Sequence, residues 1–153
     1  MWTMAQNVSK GTMSGIKKRY QISFRRWIIN GSGGGTIKPY VGASPYDVRK
    51  WLESMFVENM NWTNYGQYWV IDHVVPVRLF DLTIEDELKV VWNYKNTMPL
   101  LKEDNLLKEG ALDFSMRMLD RLPPCEIVLK LKEKLRPEIE RMEKYIKKEN
   151  GIP

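Results

Sequence analysis

Cysteine and histidine are almost missing from this chain: its 153 residues include one of each, Cys125 and His73. A single cysteine excludes an internal disulfide framework, and one Cys with one His cannot build a structural zinc site of the Cys/His type. Any metal must therefore be held largely by oxygen ligands. Imidazole chemistry, if it occurs in the chain, falls to His73. Long apolar runs are also missing, so no segment reads as a membrane span. Residues 1 to 15 lack the continuous apolar stretch of a signal peptide, and the expectation is an intracellular, cytoplasmic protein. With 43% hydrophobic and 28% charged residues the chain is not disordered throughout, and its length suits one modest core.

Acidic residues are absent from positions 1 to 46, which carry seven basic ones: Lys10, Lys17, Lys18, Arg19, Arg25, Arg26 and Lys38. Residues 47 to 153 hold 17 basic and 19 acidic groups, so the net +5 resolves into a +7 arm on a −2 body. A cationic arm interleaved with Tyr20, Phe24, Trp27 and Tyr40 suits a polyphosphate partner. Each phosphate neutralised releases counterions, and aromatic faces can stack on bases. A solvated basic tail is the alternative on composition alone.

Residues 17 to 29 are open between a strand pair and a short amphipathic helix, and Asn30 to Thr36, NGSGGGT, reads as a flexible joint. Ser44, Pro45 and Asp47 signal a helix start, and Val48, Trp51, Leu52, Met55 and Phe56 give that helix one apolar face as far as Phe56 or Glu58. A polar, aromatic loop from Asn59 to Gly66 follows. Tyr68 to Val75 reads as a buried strand ended by Pro76, Glu85 to Tyr94 as a helix, and Thr97 to Leu101 as an edge strand. Glu103 to Lys108 opens another helix and Leu112 to Leu119 reads as a further one. After Pro123 and Pro124, Glu126 to Lys148 is a charged amphipathic helix that Pro137 should kink or divide. Its use is open between a cap on its own core and a homodimer surface.

With Asp72 and His73 on a strand, Asn96 before the next strand and Asn105 at a helix start, the order can bring Asp72, His73 and Asn105 onto one small surface. In this order the chain resembles the HNH endonucleases. The matching stretches are Ile71 to Pro76 (IDHVVP), Tyr94 to Leu100 (YKNTMPL) and Glu103 to Lys108 (EDNLLK), with an upstream match through Gly42 to Phe56 and Met60 to Gly66 that looks like the form common in bacteriophage HNH proteins. The match covers about residues 42 to 110.

The resemblance implies an α+β fold, a ββα-metal finger flanked by helices. A basic N-terminal arm (1–41) and C-terminal helices (111–153) would flank a nuclease core (42–110). It implies a metal-dependent DNA endonuclease leaving 5′-phosphate and 3′-hydroxyl ends; a free-standing phage homing type is the favoured subclass, with a restriction-like or packaging-associated nuclease as the alternative. His73 would be the general base, Asp72 and Asn105 the ligands of one Mg²⁺ or Mn²⁺, and Asn96 the residue holding the loop that orients the base. Asn105 stands where the family has its last histidine, which favours magnesium over zinc. DNA would be met by Lys17, Lys18, Arg19, Arg25, Arg26 and Lys38, and near the site by Lys108.

The chemistry asks for such groups. Phosphodiester hydrolysis needs a base that titrates near neutrality and hard oxygen donors for a cation. Because neighbours on a regular strand point to opposite faces, a local bend or bulge is expected at Asp72 and His73. The rival is a nucleic-acid-binding protein without hydrolysis, using the arm and the loop around Trp62 and Tyr65.

Overall fold

The computed structural model describes residues 10–105 and 112–153; the side chains of residues 10–12 and 105 are outside that description. The first element is a helix, α1 (Lys10–Asn30), and not a strand pair. Its inward residues recur at helical spacing over a longer window than 17 to 29 reveals: Met13, Ile16 and Tyr20 lie against the core, and Phe24, Trp27 and Ile28 are buried in it. The helix stops where Gly31 adopts a left-handed conformation (φ 72°), its amide returning to the Trp27 carbonyl at 2.8 Å.

The glycine-rich stretch that follows is a packed turn, which corrects the expectation of a flexible joint. Gly34 lies flat on the Trp27 ring; a Cβ there would sit 2.4 Å from the ring's Cγ. The Gly34 carbonyl accepts from the amides of Ile37 (3.1 Å) and Lys38 (2.7 Å), which starts α2 (Lys38–Val41). Ile37 and Val41 on either side are fully buried. The segment with the concentrated positive charge therefore shares its apolar side with the rest of the molecule.

In α3 (Pro45–Glu53) the Ser44 side chain accepts from the Asp47 amide at 3.1 Å, as the local signal predicts. The helix ends earlier than Phe56 or Glu58. Met55 and Phe56 turn back with bonds to Leu52 and Glu53, and the Phe56 ring packs 4.9 Å from the Trp69 ring. The next loop contains a short 3-10 turn, Trp62–Asn64, capped by Asn61.

Two strands form the sheet, β1 (Trp69–His73) and β2 (Thr97–Leu101), antiparallel and in register from Trp69↔Leu101 to His73↔Thr97. Between them lie the turn Val77–Leu79, α4 (Glu85–Val91) and the turn Tyr94–Asn96. Directly after β2 comes α5 (Lys102–Asn105), touching both strands. The continuation expected to Lys108 lies outside the described residues.

α6 (Leu112–Asp120) and α7 (Glu126–Glu149) pack on one another after the Pro123-Pro124 break. Pro137 does not divide α7, because it lies on the exposed side and removes one backbone donor from an otherwise continuous ladder. The core joins Phe24 and Trp27 of α1, Leu52 of α3, Trp69 and Ile71 of β1, Trp92 after α4, and Leu119 and Leu131 of the last two helices. The fold is thus mixed, helices around a two-stranded sheet. No helix among the described residues is long and apolar enough to cross a membrane.

Candidate active site

Where β1 ends, every backbone polar group of the next two residues has an internal partner. The Val74 amide donates to the Asn96 carbonyl (2.9 Å), and the Val74 carbonyl accepts from Ser115 Oγ (2.6 Å). The Val75 amide donates to Asn96 Oδ1 (2.8 Å), and the Val75 carbonyl accepts from Asn96 Nδ2 (3.2 Å). The same Nδ2 reaches the Val91 carbonyl at 3.0 Å, so the fully buried Asn96 side chain ties the strand end to the end of α4. Away from water such bonds are costly to leave unmade, and the chain after His73 is held in one conformation.

His73 itself is half-buried, its ring edge-to-face with that of Trp92 at 4.7 Å and 79°. Trp92 is fixed from the other side by Tyr20 (5.9 Å) and Phe24 (6.1 Å) of α1. Asp72, also half-buried, pairs with Met98 in the hairpin. Of the bend or bulge expected at Asp72 and His73, the bulge is not present, since the register is one-to-one to the last pair; the chain bends immediately after them, at Val74 and Val75. The pairing continues one residue further, where the Val74 amide donates to the Asn96 carbonyl, and leaves no place for an inserted residue.

Asn105 closes the described part of α5; its side chain and all of Lys108 lie outside the described residues. α5 opens at the far end of the hairpin from His73, with the Lys102 amide on the Tyr68 carbonyl (3.0 Å) and Lys102 Nζ on the Gly66 carbonyl (3.1 Å). Among the described residues no three His, Cys, Asp or Glu side chains gather into a metal-binding group. A carboxylate from Asp72 with an amide oxygen from Asn105 is a hard-oxygen donor set, the type that suits Mg²⁺ or Mn²⁺ with water and phosphate oxygens completing the shell.

The basic residues singled out on α1, Lys17, Lys18, Arg19, Arg25 and Arg26, are all exposed, as is Lys38 on α2. Lys18 with Arg25 and Arg19 with Arg26 are each seven residues apart, two turns along the outer face, and no acidic residue interrupts them. Tyr20 and Phe24, which meet Trp92, lie on the other side of the helix.

The aromatic loop is occupied internally. Trp62 packs against Phe56 (5.7 Å) and Trp69 (5.2 Å), carries the Arg49 guanidinium 4.2 Å from its ring centroid, and donates Nε1–H to Glu53 Oε1 at 2.8 Å. That bond and Lys50 hold the Glu53 carboxyl below its ordinary range, against the smaller opposing effect of burial. Tyr65 packs 5.1 Å from Trp69, and burial pushes its hydroxyl up. These contacts give the two half-buried rings a structural role. Arg49 also donates to the carbonyls of Ile28 (3.3 Å) and Ile29 (3.2 Å), closing the end of α1.

Sequence reasoning missed Ser115 and Trp92 as supports of this site. Both act across the fold; a serine with helical spacing in a charged segment carries no mark of its distant partner.

No family model and no solved structure matches the chain. It is 39% identical over 102 residues to the uncharacterized protein L426 of Acanthamoeba polyphaga mimivirus, an alignment covering 63% of this chain and 40% of that protein. It is 34% identical over 87 residues to the uncharacterized protein L246 of the same virus, covering 57% of this chain and 38% of that one. The chain thus spans about two fifths of the length of these curated relatives.

Proposed function

We propose that this chain is a metal-dependent DNA endonuclease of the HNH type, with a ββα-metal finger formed by β1, β2 and α5. The observation that carries this reading is the grip of Asn96 on Val75, two residues beyond His73. It supplies physically the loop-holding role that the resemblance assigns to an asparagine at this position. The order of β1, β2 and a helix starting directly after β2 supports it further.

On this reading His73 accepts a proton from the attacking water. The water oxygen forms a bond to phosphorus as the bond to the 3′ oxygen breaks, leaving 5′-phosphate and 3′-hydroxyl ends. Asp72 and Asn105 would hold one Mg²⁺ or Mn²⁺ ion, which when bound supplies charge stabilisation at the phosphate and the leaving oxygen. Asn96 and Ser115 fix the chain behind His73, and Trp92 limits where its ring can lie. The outer face of α1 would hold the DNA backbone, giving affinity more than sequence recognition. The biological setting that fits is a free-standing, homing-type nuclease acting in the host cytoplasm, virus-encoded like its relatives.

The test is supercoiled plasmid incubated with Mg²⁺ or with EDTA. Nicking in Mg²⁺ alone is expected, with a loss of about 10²–10⁴-fold in His73→Ala, the range of general-base contributions. Nicking by His73→Ala at the wild-type rate would remove the mechanism. Retardation of the plasmid without nicking under every metal would instead support a binding protein that keeps the fold and does not cut.

A further inference from the structure

α7 is longer than the core it covers. Its buried residues Val128, Leu131 and Leu135 all lie in its first ten residues, and every residue from 140 onward is exposed. At 1.5 Å per residue the last ten residues of the helix reach about 15 Å past the body.

The apolar stripe does not stop where the core stops. Val128, Leu131, Leu135, Ile139, Met142 and Ile146 are separated by three, four, four, three and four residues, one continuous line on one face. Under the body that line is buried. Beyond it, Met142 is 40% and Ile146 51% exposed, with Tyr145 beside them at 64%. A projecting helix with no partner gains nothing from apolar residues held in phase.

The charges flanking the exposed part divide by sign along the axis. Positions 138 to 143 hold Glu138, Glu140 and Glu143 with one cation, Arg141, which is paired to Glu138 at 3.0 Å. Positions 144 to 149 hold Lys144, Lys147 and Lys148 with one anion, Glu149.

We propose that the projecting half of α7 is a self-association surface whose occupant is the same segment of a second copy, antiparallel about a two-fold axis. Antiparallel pairing sets the acidic half of each helix against the basic half of the other and Met142 against Ile146 of the second copy. Parallel pairing would set like charge on like charge. A two-fold requires a self-complementary patch, and this segment has one in both charge and apolar phase. The proposal is independent of the nuclease reading.

Light scattering or sedimentation over a concentration series tests it. The wild-type chain is expected to move from monomer to twice the monomer mass as concentration rises. Met142→Asp with Ile146→Asp should weaken association by about tenfold or more, one buried apolar side chain per partner being worth at least that factor. Circular dichroism should show the helix retained. Glu140→Lys with Glu143→Lys, and separately Lys144→Glu with Lys147→Glu, should each weaken self-association, while their equimolar mixture associates at least as tightly as the wild type. A wild type that stays monomeric at all concentrations overturns the proposal. So does dimerisation unaffected by the aspartates, or a mixture that fails to associate.

Discussion

Asn96 grips both backbone polar atoms of Val75, accepting from its amide at 2.8 Å and donating to its carbonyl at 3.2 Å. Asn96→Ala leaves these groups and a bond to the Val91 carbonyl unmade in a dry site. A loss of about 2–4 kcal/mol is expected, measured as the shift in urea midpoint, since each orphaned buried group costs about 1–3 kcal/mol. Asn96→Asp keeps the acceptor for the Val75 amide but turns a carboxylate towards two carbonyl oxygens, which raises its carboxyl pKa in the folded state. The folded state then binds more protons than the unfolded, and the stability of this variant falls as pH rises through the carboxyl range. A flat pH dependence for Asn96→Asp would mean that the side chain does not sit between those carbonyls.

Gly34 and Gly35 are adjacent and should respond in opposite ways. A methyl group at Gly34 meets the Trp27 ring at 2.4 Å, whereas one at Gly35 meets nothing within 4 Å. Gly34→Ala is expected to cost about 1–3 kcal/mol, as overpacking does, and Gly35→Ala to stay within about 0.5 kcal/mol of wild type, as exposed substitutions do. Equal melting temperatures for the two variants would show that the turn is not packed on Trp27.

Cys125 is the residue before α7, with Lys95 Nζ 3.4 Å from its sulfur. Burial pushes the thiol up, but the Val128 amide, the Lys95 ammonium and the Ile127 amide outweigh it and hold the thiol below its ordinary range. The thiolate is the nucleophile, so alkylation by iodoacetamide should proceed at lower pH than for an unperturbed thiol. Lys95→Met should move the midpoint of the rate profile upward. An unchanged midpoint would remove Lys95 from the account.

On the proposed nuclease reading, the outer face of α1 governs DNA affinity and leaves the chemical step alone. Arg25→Gln with Arg26→Gln is expected to flatten the dependence of log K on log salt by about 0.9 for each phosphate no longer neutralised. The single-turnover rate at saturating DNA should be unchanged, because these exposed side chains are not among the groups that contact His73 or Trp92 through α1, which are Tyr20 and Phe24. An unaltered salt slope would take α1 out of the proposed DNA interface.

The elements that can be read from the chain are those whose cause is local. Ser44, Pro45 and Asp47 cap α3 through a bond spanning three residues. The two strands follow from short runs of aromatic and β-branched residues, and Asn96 can be named because it lies beside one of them. α1 is open between strand and helix in the sequence because Ile22 and Ile29, outside the buried face, blur the helical spacing of Tyr20, Phe24, Trp27 and Ile28.

Length, composition and order of residues determine that the chain has one imidazole, an acid-free cationic first third, and Asp72, His73, Asn96 and Asn105 in an order like that of HNH nucleases. Tertiary structure decided the rest. It turned the glycine stretch into a turn seated on Trp27, drew Trp62 and Tyr65 inward, and set Ser115 on the carbonyl of Val74 across 41 residues. A capping bond or a strand preference acts over a few residues and leaves its mark on neighbouring letters. Packing and long-range hydrogen bonds are satisfied only after the chain has closed on itself, by partners whose separation in sequence carries no signal.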